Sequence, residues 1–235
     1  MIRVALIAVL ILGAFFKIQT TSAQTFEGMD AENTSFEPWV EVEFHQYCGR
    51  YHFGFSEDES ILTMLKSDSI TIAQIQSYNW SDEHEGWVPT YRNLTNVRVE
   101  NGRFYSDETK GWFASMTSPG DSSNGLVIEK PWSWTEKDEY GSCLDKKLEV
   151  EGAYEECSLW LLPENHLRFA PKSELKIMRN EIYARYGYKF KPGGEMDTHF
   201  RATSWYMPIY DDVSSFLTDI EKANIALLLR LEKGQ

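Results

Sequence analysis

The chain has 235 residues, with 36 acidic against 23 basic side chains and a formal net charge of −13. Such a surface repels phosphate backbones and anionic lipid, which excludes nucleic acid as an expected partner. Aromatic residues make up 14%, with eight Trp among them, so the chain can build a substantial core and a disordered chain is excluded.

Arg3, the unbroken apolar run Val4 to Phe16 and the small-residue exit Thr21-Ser22-Ala23 form the three parts of a secretory signal peptide. The apolar run falls short of the roughly 20 residues that carry a helix across a bilayer, and Lys17 interrupts it. Thr21 and Ala23 suit signal peptidase, so cleavage is expected between Ala23 and Gln24. Arg3 and Lys17 are the charged residues of the leader, so from residue 24 the balance is 21 bases against 36 acids, a net −15. No other segment approaches spanning length, and no membrane span is expected after cleavage. The expected organisation is a leader over 1–23, a tail over 24–36, a β-rich domain over 37–169 and a helical domain over 171–235.

From Glu37 the pattern is that of short strands. Val40, Val42 and Phe44 alternate with polar neighbours, and Tyr51, Phe53 and Phe55 do so again after Gly49. Ile61 to Leu65 and Ile70 to Ile75 flank Lys66-Ser67-Asp68-Ser69, which reads as a hairpin loop. Asn101-Gly102 is the pair preferred by a two-residue type I′ turn, because both positions need positive φ. That register sets Glu100 opposite Arg103 and Val99 opposite Phe104. Gly111 to Met116, Leu126 to Ile128, Leu148 to Val150, Leu159 to Leu162 and Leu167 to Phe169 are further strand candidates. The pattern indicates an antiparallel β-sandwich or small barrel. Cys143 and Cys157 bracket one short unit in this part; export permits disulfides, and the two are expected to pair, adding roughly 3 kcal/mol. Cys48 is then left over, either as a buried small residue or as a nucleophile.

Helical periodicity takes over at Ala170-Pro171. Ser173 is expected to cap a helix with Leu175, Met178 and Ile182 on one face, ended by Gly187 as a left-handed C′ residue. A Schellman ending brings Tyr188 back onto Ile182 or Tyr183. Thr218 to Glu221 reads as a capping box opening a second helix, with Ile220, Ala223, Leu227, Leu228 and Leu231 as its apolar face. A short helix is expected near Glu195 to Arg201. The fold class is therefore α+β, a β domain followed by a small helical domain.

The helical segment resembles a YARHG domain, through Leu175, Arg179-Asn180-Glu181-Ile182, Tyr183-Ala184-Arg185-Tyr186-Gly187-Tyr188 and Phe190, then Phe200, Ser204-Trp205-Tyr206, Pro208 and Ile220-Glu221-Asn224. Tyr186 stands where the family name has His. The resemblance implies a bacterial, periplasmic or secreted protein, with Tyr183 to Gly187 as a structural motif and no activity attached.

Cys48 and His52 on one strand would lie roughly 13 Å apart, too far for a nucleophile and its base. His45, His84, His166 and His199 are scattered singly, and no two share a zinc-ligand spacing. The chain carries no G-x-S-x-G elbow, P-loop, H-E-x-x-H or Rossmann glycine run. Glu57-Asp58-Glu59, Asp82-Glu83 and Asp211-Asp212 read as solvated turns. No catalytic residue, metal or cofactor is assigned. Trp132 and Trp134 would share one face of a strand, about 6.6 Å apart, and are the candidate ligand contacts. Arg179, Glu181 and Arg185 read as helix-surface salt-bridge or capping residues, with a polar groove as the alternative. The expected function is a non-catalytic binding or scaffold protein of the envelope, whose partner is an envelope protein, peptide or glycan. A small hydrolase using Cys48 or acids of the β domain, and a lipocalin-like carrier with an apolar cavity, are the alternatives.

Overall fold

The computed structural model describes residues 33–54, 59–129 and 138–234. The leader with its Ala23–Gln24 junction, and Trp132 and Trp134, lie outside the described residues.

Ten strands form one curled antiparallel sheet among the described residues. They are β1 (Ser35–Pro38), β2 (Gly49–Phe53), β3 (Ser60–Ser67), β4 (Ile70–Ser81), β5 (Gly86–Asn93), β6 (Arg98–Glu100), β7 (Arg103–Tyr105), β8 (Lys110–Ser118), β9 (Asp121–Glu129) and β10 (Glu139–Asp145). The order across the sheet is β5-β4-β3-β2-β10-β9-β8-β7-β6, with β1 paired to β8. The first and last strands of this path do not pair, so the sheet is a half-barrel rather than a closed barrel or a sandwich. A register shift between Cys143 and Asp145, where β10 meets β2, is one source of the curl.

Alternation decides which face is filled. Tyr51, Phe53, Leu62, Met64, Ala73 and Ile75 point into the concave side and pack there with Phe104, Phe113, Leu126 and Ile128. These side chains occupy the space that a carrier would need for an apolar ligand. The β6–β7 hairpin follows its turn chemistry: Asn101 and Gly102 have φ of 52° and 71°, and Glu100 and Val99 pair with Arg103 and Phe104. The loop between β3 and β4 is also a hairpin, tightened to Asp68-Ser69, with Asp68 at φ 50°.

Four strand expectations fail. Residues 40–44 form no strand; Val40 and Val42 are exposed, and a short 3₁₀ turn runs over Phe44–Tyr47. The segment is held instead by Trp39, whose N–H donates to the Phe113 carbonyl and whose ring meets Tyr47 and Phe113 edge-on. Further on, short helices α1 (Glu156–Leu159) and α2 (Glu164–Leu167) replace the strands expected at 159–162 and 167–169, and 148–150 is irregular. Asn224 explains the first case. Its amide donates to the carbonyls of Cys157 and Trp160 and accepts from the N–H of Leu162, so those backbone groups are satisfied without a neighbouring strand.

Helices α3 (Lys172–Arg185), α4 (Glu195–Arg201) and α5 (Asp219–Lys233) complete the fold. α3 starts two residues earlier than expected, with Pro171 rather than Ser173 at its N-cap. Its end is a Schellman motif: Gly187, at φ 74°, donates to the Ala184 carbonyl and Tyr188 to that of Tyr183. The Tyr188 ring then lies 5.9 Å from that of Tyr183. α5 opens with the expected capping box between Thr218 and Glu221.

The expected Cys143–Cys157 disulfide is not formed, and all three cysteines are free. Cys143 sits on β10 against the concave core, whereas Cys157 is buried on α1 within the core that α3 and α5 share. The two thiols serve different cores, because the intervening chain runs from the sheet to the helices instead of closing a loop.

Candidate functional site: a polar cleft between sheet and helices

The register fixes which residues of β2 to β5 face the helices. Arg50, Thr63, Gln74 and Asn93 lie in one row across the four strands, and Ile61, Gln76 and Tyr91 lie in the next. Leu65 and Ile72 of this convex face pack on Ile220 of α5. Gln74 and Asn93 donate to the carbonyl of Phe216, and Tyr210 donates to that of Pro89. The helices are thereby fixed on one half of the convex face, and a cleft of about 400 Å³ remains along the seam.

A chain of buried polar groups forms one wall. Tyr186 Oη donates to Glu221 Oε2 at 2.8 Å and lies 3.2 Å from Gln74 Oε1. Glu221 Oε1 accepts from Ser158 Oγ at 2.6 Å, and Ser158 Oγ accepts in turn from Arg185 Nη1 at 2.9 Å. Arg185 also donates through Nε to the Glu151 carbonyl and through Nη2 to Glu181. Glu181 takes the backbone N–H groups of Ala153 and Tyr154 as well. Two carboxylates and one guanidinium thus share a buried wall of the cleft, and each is bonded to its neighbours, as burial demands.

Burial dominates the titration of this wall. It pushes the Glu221 carboxyl up, and it raises the Tyr186 phenol far above its ordinary value, with the nearby Glu221 adding to the effect. Glu221 Oε2 also accepts from the backbone N–H and hydroxyl of Thr218. Both oxygens are therefore engaged inside the protein, Oε2 by three donors and Oε1 by Ser158. The wall is a scaffold.

The opposite wall differs. Arg50 forms no ion pair or side-chain hydrogen bond among the described residues, and the same holds for the hydroxyls of Thr63 and Tyr91. Burial raises the Tyr91 phenol, which stays protonated and able to donate. A guanidinium, two hydroxyls and the Gln76 carbonyl oxygen consequently converge on the cleft without internal partners.

The residues singled out in the sequence fall as follows. Arg185 and Tyr186 of the motif line the cleft, Ala184 and Tyr183 pack behind it, and Gly187 ends the helix. Glu181 and Arg185 are buried, which corrects their reading as surface residues, while Arg179 forms an ion pair at 2.6 Å with Glu232 of α5. Cys48 is half-buried, and burial pushes its thiol up, away from nucleophilic character. His52 contacts Glu59. Among the described residues no group of three His, Cys, Asp or Glu could hold a metal ion. Gln74, Ser158 and Arg50 carried no signal in the sequence. Glu221 and Asn224 did: they fall inside the apolar stripe of α5, three residues apart, between Ile220 and Leu228.

Residues 154–233 match the family model of the YARHG domain, an extracellular type of domain; the residues before them match no family model. The match includes α1 and α2 together with α3 to α5. Searches of the curated proteins and of the solved structures return no match to the chain. No helix among the described residues is long and apolar enough to cross a membrane.

Proposed function

We propose that this is an exported bacterial envelope protein, periplasmic or secreted, that binds a small polar ligand in the cleft between its sheet and its helices and has no catalytic activity of its own. Residues 1–23 act as the leader in this reading. The β-rich part over 37–169 and the helical part over 171–235 act together, because each contributes one wall. One observation supports the proposal: the polar groups of Arg50, Thr63 and Tyr91 face the cleft without hydrogen-bond partners among the described residues, opposite a wall whose polar groups bond one another. Polar groups that a fold leaves unmatched around a cavity are available to a ligand, and a few convergent polar groups fix its orientation. The thiol form of the hydrolase alternative is disfavoured by the raised Cys48 thiol, and the carrier alternative by the filled concave side.

Native mass spectrometry of the protein isolated from its own periplasm or culture fluid tests this. The wild type is expected to carry a small-molecule adduct that Arg50→Ala lacks, with equal melting temperatures, since Arg50 holds no side-chain partner among the described residues. Bare spectra for both proteins would sink the proposal.

A further inference from the structure

The convex face continues past the helices along the β4–β5 hairpin. The register pairs Gln74 with Asn93, Gln76 with Tyr91, Tyr78 with Pro89 and Trp80 with Trp87. Alternate residues of a strand share a face, so all eight side chains lie on the face that carries the cleft. The first two pairs lie against the helical part, where Tyr91 packs on Tyr186 and Phe216. Beyond them Tyr78, Trp80 and Trp87 are 40%, 57% and 48% exposed. From Gln74 to Trp80 the row runs for about 20 Å.

The rings are held in place. Trp80 and Trp87 meet at right angles with centroids 6.0 Å apart. Trp80 Nε1 donates to Asp82 at 3.0 Å, and Gln76 Nε2 donates to the Tyr78 hydroxyl at 3.0 Å. Lys189, just after the end of α3, pairs with Glu83 at 3.0 Å and ties the hairpin tip to the helical part.

We infer that this row binds a neutral oligosaccharide that lies along β4 and β5 with one end in the cleft; the inference rests on the cleft being the ligand site. Area argues against a protein partner. Three rings, each able to bury about 150–250 Å² and roughly half exposed, offer on the order of 300 Å², whereas a specific protein interface needs about 800 Å² per partner. Charge argues against an anionic polymer, because Asp82, Glu83 and Glu85 stand at the hairpin tip of an already acidic chain. The same carboxylates accept hydrogen bonds from sugar hydroxyls. A pyranose ring presents an apolar C–H face to an aromatic ring and hydroxyls at its edge, and this row interleaves rings with a carboxylate, an amide and a phenol. Continuity with the cleft supplies an anchor for the chain end at Arg50.

Isothermal titration with cellohexaose and chitohexaose, and with glucose and N-acetylglucosamine, tests the inference on wild type, Trp80→Ala, Trp87→Ala and Arg50→Ala. Circular dichroism checks the fold of each variant, and Trp80→Phe retains a ring. At least one hexasaccharide is expected to bind more tightly than its monosaccharide. Each Trp-to-Ala change should weaken the hexasaccharide about tenfold and leave the monosaccharide unchanged, with Trp80→Phe close to wild type. Hexasaccharide binding that matches the monosaccharide and ignores both Trp changes would overturn the aromatic row while leaving the cleft as a site. Absence of all sugar binding overturns the inference, and the cleft then stands or falls on the adduct measurement with Arg50→Ala. Self-association in sedimentation velocity that Trp80→Ala abolishes would make the row a protein interface, and also overturns it.

Discussion

The Arg185–Glu181 pair offers the sharpest test of the polar wall. Their side chains are 7% and 3% exposed, so solvent screening is weak and neither charge can turn to water. Arg185→Met keeps most of the side-chain volume and removes the guanidinium, which leaves Glu181 charged and buried. Breaking a buried pair in this way costs about 3–5 kcal/mol. The backbone N–H groups of Ala153 and Tyr154 still bond Glu181, which places the loss near the lower end, about 3 kcal/mol. For a chain of this size that lowers the melting temperature by about 6–12 °C. Urea unfolding followed by far-UV circular dichroism reads the change. Adding Glu181→Gln to Arg185→Met removes the stranded charge while retaining an acceptor for those N–H groups, so the double variant should recover part of the loss. A loss below about 1 kcal/mol, or a double variant no more stable than the single, would refute the reasoning.

Three further outcomes are expected. Burial raises the Glu221 carboxyl above its ordinary value of 4.5. Between that value and the raised one the folded state keeps a proton that the unfolded chain has released, so this group's contribution is full below pH 4.5 and lost as pH rises. Urea titrations across pH should show that fall in wild type and a flatter profile in Glu221→Gln. Thiol titration with Ellman's reagent should give three equivalents in denaturant and fewer in the native protein, because Cys157 is fully buried with its thiol pushed up to about 12; only one equivalent in denaturant would restore a disulfide. Gly102→Ala should cost about 1–2 kcal/mol from its left-handed backbone alone. Its added Cβ would also lie 3.0 Å from the Trp39 carbonyl oxygen, and unchanged thermal stability would contradict the turn geometry.

Much of the fold was legible because its determinants are local. Asn101-Gly102, the Thr218–Glu221 box and the Gly187 terminus each specify backbone geometry from within a few residues, and all three hold. The failures share one cause. Val40, Val42 and Phe44 alternate like a strand, but a strand needs a neighbour for its N–H and C=O groups, and that segment has none. Leu159 and Leu161 read as strand residues because the partner that satisfies their surroundings, Asn224, lies more than sixty residues away. The cysteine pairing failed similarly: sequence proximity suggested a loop, while packing assigned the two thiols to separate cores.

The site was less legible because its members meet only in three dimensions, yet its proton count follows once they do. Tyr186 has one hydroxyl hydrogen and two acceptors in reach, Glu221 Oε2 and Gln74 Oε1. With Glu221 ionised, the phenol must donate to the carboxylate, and Gln74 Oε1 is left unmatched at the seam. With Glu221 protonated, the carboxyl donates to the phenol and the phenol to Gln74, so the row closes from α5 through α3 to β4. The structure holds the first arrangement, with Tyr186 donating to Glu221 Oε2, while burial raises the carboxyl and brings the second nearer. A neutral imidazole, the side chain in the family name at this position, would pair one donor and one acceptor across the same gap. Tyr186 likewise reaches both sides, donating to Glu221 of α5 and lying 3.2 Å from Gln74 Oε1 of β4, so the residue that stands in place of His still joins the sheet to the helices.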